Sequence, residues 1–182
     1  MSDDVTSRLR CVTPPASEPV SLDEAKLFLR VEQDDEDAVI TRAISAARGA
    51  CEQFLSCALL PQTWSFATGE AERARLHVPF GPITAVSSVT ATDSAGNVST
   101  LDAASYKVSV DGLSLHFDPV PAGCVLTVQY SASMATDADG LPALLKQGIL
   151  QHIAAFYEAR DGLAPMPLAA MQCYQPFRRV RL

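Results

Sequence analysis

A chain of 182 residues that is 48% hydrophobic and 19% charged is long enough to bury about 70% of its unfolded surface as one domain, or one domain carrying an insertion, without covalent staples. Its formal net charge of −7 at pH 7 repels phosphate and argues against sequence-independent nucleic-acid binding through the body of the fold. The opening MSDDVTSRLR lacks the apolar run of a signal peptide, and no stretch nears 18 consecutive apolar residues, which reads as a cytosolic protein without a membrane span.

Residues 1–19, with Pro14, Pro15 and Pro19 among polar residues, read as a flexible or extended lead-in. Order is expected to begin at PVSLDEAKLFLRV, where Ser21 and Glu24 have the spacing of a capping box and predict a short helix over 22–30. The clearest helix follows: Ile40, Ala43, Ile44, Ala47, Cys51, Phe54, Leu55 and Ala58 recur every three or four residues over 36–59, until Pro61. The acidic run Asp34, Asp35, Glu36, Asp37 lies at its N-terminal end, where the helix dipole favours negative charge. The same run is a candidate channel or subunit-interface surface.

From Gln62 to Tyr130 the period falls from near four to two. TWSFAT, RLHVP, TAVSSVTAT, YKVSV, LSLHF and CVLTVQY are short strand-like runs divided by Gly, Pro, Asn and Asp. In YKVSVDGLSLHF the Asp111-Gly112 pair suits the two positive-φ positions of a tight hairpin. Tyr106, Val108, Val110, Leu113, Leu115 and Phe117 then alternate with polar residues, and His116 faces the polar side. After a loop over 131–140 the helical period returns. Pro142 suits a first turn, Leu145, Ile149, His152, Ile153 and Phe156 share a face, and Gly162 suits the stop. One further short helix is expected between Pro167 and Cys173. The fold class is therefore α+β: a small helical bundle (20–61 and 141–173) of two N-terminal helices and one long C-terminal helix, an inserted antiparallel β-rich module (62–130), and an extended C-terminal arm (174–182).

Sequence signatures of catalysis are few. Glycine-rich phosphate loops, GxSxG and HExxH are absent, so no catalytic residue and no cofactor are assigned. The five cysteines, Cys11, Cys51, Cys57, Cys124 and Cys173, have no CxxC spacing, which favours neither a metal site nor a disulfide framework. Two alternatives stay open. One is a small cysteine-dependent hydrolase using Cys173 and His152; the other is a nucleic-acid binding module using the arginines of the C-terminal tail.

That tail, YQPFRRVRL, holds three of the chain's 14 basic residues together with apolar ones. Extended, nine residues span about 30 Å, which suits an arm that docks on another polypeptide through Tyr174, Phe177, Arg178, Arg179, Val180, Arg181 and Leu182.

Several segments taken together, PVSLDEAKLFLRV, DDEDAVI running into AISAARGACEQFLSCALLPQTW, VPFGPITAVSSV, LPALLKQGILQHIAAFYEAR and PFRRVRL, resemble the head–tail connector, or adaptor, proteins of long-tailed bacteriophages, prophages and phage-like gene transfer particles. The resemblance runs from Pro19 to Leu182 and rests on the series rather than on one motif. The loop 131–140 departs from it, being longer and richer in Ala and Asp. The resemblance implies a structural, non-enzymatic protein of the particle neck, assembled in the bacterial cytoplasm. It implies a homo-oligomeric ring, typically dodecameric, under the portal protein, with a stopper or tail-terminator protein on its tail side. DNA would pass through the ring without specific binding, and the C-terminal arm would grip the portal.

Overall fold

A computed structural model describes residues 9–70, 74–159 and 165–178. The chain divides into two compact units, with boundaries at Ala16/Ser17, Leu60/Pro61 and Met134/Ala135.

The β unit is built on strands β1 (Leu9–Thr13), β2 (Gln62–Glu70), β3 (Arg75–His77), β4 (Ile83–Thr92), β5 (Val98–Thr100), β6 (Tyr106–Val108), β7 (Ser114–Phe117) and β8 (Val125–Ala132). Five of them form an antiparallel sheet in the order β1-β2-β8-β4-β5, and three form a second in the order β3-β7-β6. The central strand β8 shows why its sequence makes a strand: Leu126, Val128, Tyr130 and Ala132 are buried while the residues between them are not. Phe66, Ile83, Val89 and Ala91 from the flanking strands are buried too. Trp64 stacks on Phe80 with ring centroids 4.5 Å apart. The second sheet buries Leu115 and Phe117 and leaves His116 exposed.

Two strands were not anticipated. Leu9–Thr13 lies within the expected flexible lead-in 1–19, yet it pairs antiparallel with β2, Leu9 opposite Phe66 and Cys11 opposite Trp64. Its side chains are mostly exposed, so what orders it is the backbone ladder offered by β2. Val98–Thr100 is short, exposed and likewise held by pairing, with β4. In addition β8 continues through Ser131 and Ala132 into the expected loop 131–140.

The β6–β7 hairpin turns differently from the sequence expectation. Only Gly112 has positive φ, at 67°; Asp111 does not. The Gly112 N–H donates to the Ser109 carbonyl at 2.9 Å, the Asp111 carboxylate accepts from the Leu113 N–H at 3.0 Å, and the Ser109 hydroxyl also donates to Asp111. A side-chain-braced turn needing one left-handed residue thus replaces a turn needing two. The extra residue breaks the alternation, and Val110 is fully exposed. A Cβ on Gly112 would stand 2.8 Å from Pro82 Cβ, because the hairpin tip is bonded to the start of β4 through Ile83 N–H and Gly112 O at 2.7 Å.

The helical unit contains α1 (Leu22–Leu29), α2 (Asp37–Leu55), α3 (Ala143–Glu158) and α4 (Leu168–Tyr174). The capping box at α1 forms in full: the Glu24 N–H donates to Ser21 Oγ at 3.1 Å, and the Ser21 N–H donates to the Glu24 carboxylate at 2.8 Å. The apolar stripe of α2 is buried as its spacing predicts, through Ile40, Ala43, Ile44, Ala47, Cys51 and Leu55. It faces Leu145, Ile149, His152 and Ile153 of α3. The helix stops four residues before the expected end at 59, because Ser56 turns into the left-handed region. The sequence 57–60 then folds under, all of it buried. That turn is held by Glu52, whose carboxylate accepts the Leu59 N–H at 2.9 Å. Arg48 donates to Glu52 at 2.9 Å and to Glu18 at 2.7 Å. The Ala135 N–H donates to the Leu59 carbonyl at 3.1 Å, so the chain leaves and re-enters this unit at adjacent points. The expected stop at Gly162 lies outside the described residues.

Candidate functional site

The docking arm was expected to span 174–182, and the structure divides that stretch. Tyr174 closes α4 and is fully buried. Its ring lies 6.1 Å from that of Phe54 and 6.5 Å from that of His152. Burial pushes its hydroxyl well above the usual phenol range, with the Cys51 thiol beside it. Tyr174 therefore belongs to the core and not to an arm; the physical reason is the fit of its ring against α3. A Cβ on Gly148 would meet Tyr174 Cε1 at 2.5 Å and Cys173 Cβ at 2.8 Å, so only glycine at that position lets α4 approach α3 so closely.

Beyond Tyr174 the chain makes one 3-10 turn, Gln175–Phe177. Phe177 is half-buried, and the Arg178 guanidinium sits over the Phe54 ring, 5.3 Å from its centroid, a cation–π contact at an exposed site. Arg179, Val180, Arg181 and Leu182, the remaining arm residues, lie outside the described residues. The last described charge thus rests on an aromatic ring near the C-terminal end of α2.

The acidic run sits where the sequence places it, at the start of α2, but most of its carboxylates have partners. Lys26 of α1 donates to Asp34 at 2.6 Å and to Asp37 at 2.7 Å. The hydrogen bond from Lys26 holds the Asp34 carboxyl below its usual range. Glu36 accepts from the Tyr157 hydroxyl of α3. Asp35 is exposed, and the Asp34 side chain is 87% exposed. The result is a fixed anionic corner rather than a frayed one.

His152 and Cys173 sit in packing positions: His152 is buried and Cys173 is half-buried. His152 is 1% exposed and stacks on Phe156 at 4.6 Å. Its Nδ1 has no hydrogen-bond partner among the described residues, and burial lowers its pKa. Cys173 packs its Cβ toward Gly148. A general base needs reach to substrate, which a ring sealed between Phe156 and Tyr174 lacks. Among the described residues no three His, Cys, Asp or Glu side chains gather as a metal would require, and no helix is long and apolar enough to cross a membrane.

Sequence reasoning missed Gly148 and the Glu18–Arg48–Glu52 network. The second had a signal, since Arg48 and Glu52 stand at i, i+4. The first had only a glycine within an apolar helical run.

Residues 18–161 match the family model of the head completion protein. No curated protein matches the sequence. Among solved structures, a chain of the virion of a native gene transfer agent particle is 23% identical with a TM-score of 0.77. Chains from the neck of an empty particle computed with C6 symmetry and of a native particle computed with C12 symmetry are each 24% identical, with TM-scores of 0.78 and 0.70. In every case 96% of each chain is covered. At this identity the likeness establishes a shared fold across the whole chain.

Proposed function

The chain belongs to the head completion protein family, and from that premise we propose that it is a structural connector of the particle neck, forming a ring beneath the portal that extends the DNA channel and joins the filled head to the tail. The observation that carries this reading is the family match over 18–161 together with a fold shared end to end with chains of a gene transfer agent neck. The C12 symmetry under which one of those necks was computed supports a twelve-fold ring for this chain. A structural role also accords with the burial of His152, which favours packing over hydrolysis.

In this reading the grip on the portal comes from the end of the chain, with Phe177 and Arg178 at its root and Arg179, Val180, Arg181 and Leu182 beyond. Tyr174 is the anchor that holds that root to the bundle. Guanidinium groups suit forked pairing with carboxylates on the portal. Summed over the copies of a ring, modest contacts per arm give firm attachment. A stopper or terminator protein binds the tail side. The carboxylates of the Asp34–Asp37 corner serve a subunit interface or the channel wall, where like charge keeps passing DNA from sticking.

The test is electron microscopy of particles in which this chain is labelled, beside particles carrying a chain truncated after Arg178. The reading expects label at the neck, and filled heads without tails in the truncation. Label elsewhere refutes the connector role; normal tail joining by the truncated chain refutes the arm.

A further inference from the structure

We propose that the outer face of the three-stranded sheet is a cationic docking surface for a second copy of this chain, which presents to it the carboxylates of its Asp34–Asp37 corner. The inference rests on the ring reading above and names the contact that would build the ring.

The cross-strand register places Arg75 of β3 and Lys107 of β6 directly opposite His116 of β7. Directly paired residues of antiparallel strands rise on the same face. The three side chains therefore form a row across three strands, about 10 Å wide at the usual strand spacing. His77, two residues after Arg75, rises on that face too. All four are exposed, while the opposite face carries the buried Leu115 and Phe117. Among the described residues of 61–134 these are all the Arg, Lys and His side chains. A chain of net charge −7 thus gathers the described basic side chains of this segment on one surface.

The row is only partly neutralised. Arg75 donates from Nε to Ser114 Oγ at 3.0 Å, and its guanidinium stands 4.0 Å from the Asp111 carboxylate. Lys107 has no ion pair or side-chain hydrogen bond among the described residues. With His116 it lines a shallow depression of about 230 Å³ that Tyr106 and Asp118 also border.

Two permanent cations on an acidic protein displace too few counterions to hold DNA, which turns attention to a protein carboxylate. A second copy offers one already ordered: Lys26 fixes Asp34 and Asp37, Tyr157 fixes Glu36, and Asp34 and Asp35 remain exposed. Their ordering cost is therefore largely met before contact. Because the two complementary surfaces are different patches of one chain, the contact is head-to-tail, and a head-to-tail contact that closes makes a ring.

The test is sedimentation velocity of the full chain over a concentration series to about 1 mM, at low and at moderate salt, since exposed charge pairs weaken as salt rises. Lys107→Glu with His116→Glu reverses the face without touching the Arg75–Ser114 bond, and Asp34→Lys with Asp35→Lys reverses the corner; circular dichroism confirms folding of each. Each pair of changes is expected to weaken self-association about tenfold or more, and all four together in one chain are expected to recover most of it. Lys107→Glu alone provides a milder version with nothing in the fold to lose. A wild type monomeric throughout, variants that associate like wild type, or four changes no better than two would each overturn the proposal. So would loss of duplex DNA retention in the Lys107/His116 variant with self-association unchanged. Neck rings that persist in particles built with either reversed variant would remove this contact while leaving the connector reading intact.

Discussion

Two glycines on facing parts of the same unit make a controlled experiment in helix packing. Gly49 lies within α2 with nothing within 4 Å of where a Cβ would stand, and Gly148 lies within α3 with Tyr174 Cε1 at 2.5 Å and Cys173 Cβ at 2.8 Å. Alanine in place of a helical glycine gains about 1 kcal/mol from the lower backbone entropy of the unfolded chain. Gly49→Ala should collect that gain in full. Gly148→Ala collects it too, but both contacts fall about 1 Å inside the 3.5–4.0 Å optimum. The Tyr174 ring is hemmed in by Phe54 and His152, and a Cβ is fixed to its backbone, so α4 itself must retreat. Overpacking of that kind costs about 1–3 kcal/mol, and complete loss of the Tyr174 side chain from the core would cost about 1.5–3 kcal/mol more. The alanine gain is common to both, so Gly148→Ala should be less stable than Gly49→Ala by the overpacking cost, about 1–3 kcal/mol, rising to about 2.5–6 kcal/mol if Tyr174 leaves the core. Urea denaturation followed by far-ultraviolet circular dichroism measures the difference, and thiol labelling mapped by mass spectrometry should show Cys51, buried beside Tyr174, reacting faster in Gly148→Ala. Equal stability of the two variants, with Cys51 equally protected, would refute the close approach of α4 to α3.

Arg48→Met should cost about 3–5 kcal/mol, because the buried Glu52 carboxylate loses its cation; adding Glu52→Gln should return part of that in the same urea midpoint. Glu24→Ala should cost about 0.3–1 kcal/mol at pH 7 by removing a carboxylate from the first turn of α1. The Ser21 N–H bond lowers the Glu24 pKa, so this contribution is present above the unfolded value near 4.5 and is lost as pH falls through the lower folded value; stability measured down a pH series should show the two chains converging in acid. Burial lowers the His152 pKa, so the unfolded chain binds the proton first and stability should decline as pH falls below about 6.5. His152→Phe should flatten that decline between pH 6.5 and 5, and an unchanged slope would show that His152 takes up its proton without opening the core.

The features that were legible in the sequence are those set by local periodicity. The buried faces of α2 and α3, the capping box before α1 and the alternation of β8 follow from side-chain spacing alone, and so does the α+β class. Features set by partners distant in sequence were hidden. Leu9–Thr13 carries no strand pattern and is ordered by the ladder of β2, and Val98–Thr100 is ordered by β4. Tyr174 reads as the first residue of an aromatic, basic tail until Gly148 opens a place for its ring. The acidic corner was visible as charge, but its rigidity depends on Lys26 and Tyr157, which stand eight residues before Asp34 and 121 after Glu36. The cationic sheet face was visible only after strand register had aligned Arg75, His116 and Lys107.

The hydrogen bond from the Ala135 amide to the Leu59 carbonyl turns the junction with the β segment into a clasp. Whatever lies between positions 60 and 135 is, for the helices, a loop whose two feet are already fastened. Such a loop can lengthen, shorten or be exchanged at an entropic cost that grows only with the logarithm of its size. A lineage of connectors could therefore restyle the β segment to suit new neighbours while its helical chassis stayed the same, and an engineer could splice a foreign domain at that clasp for the same reason.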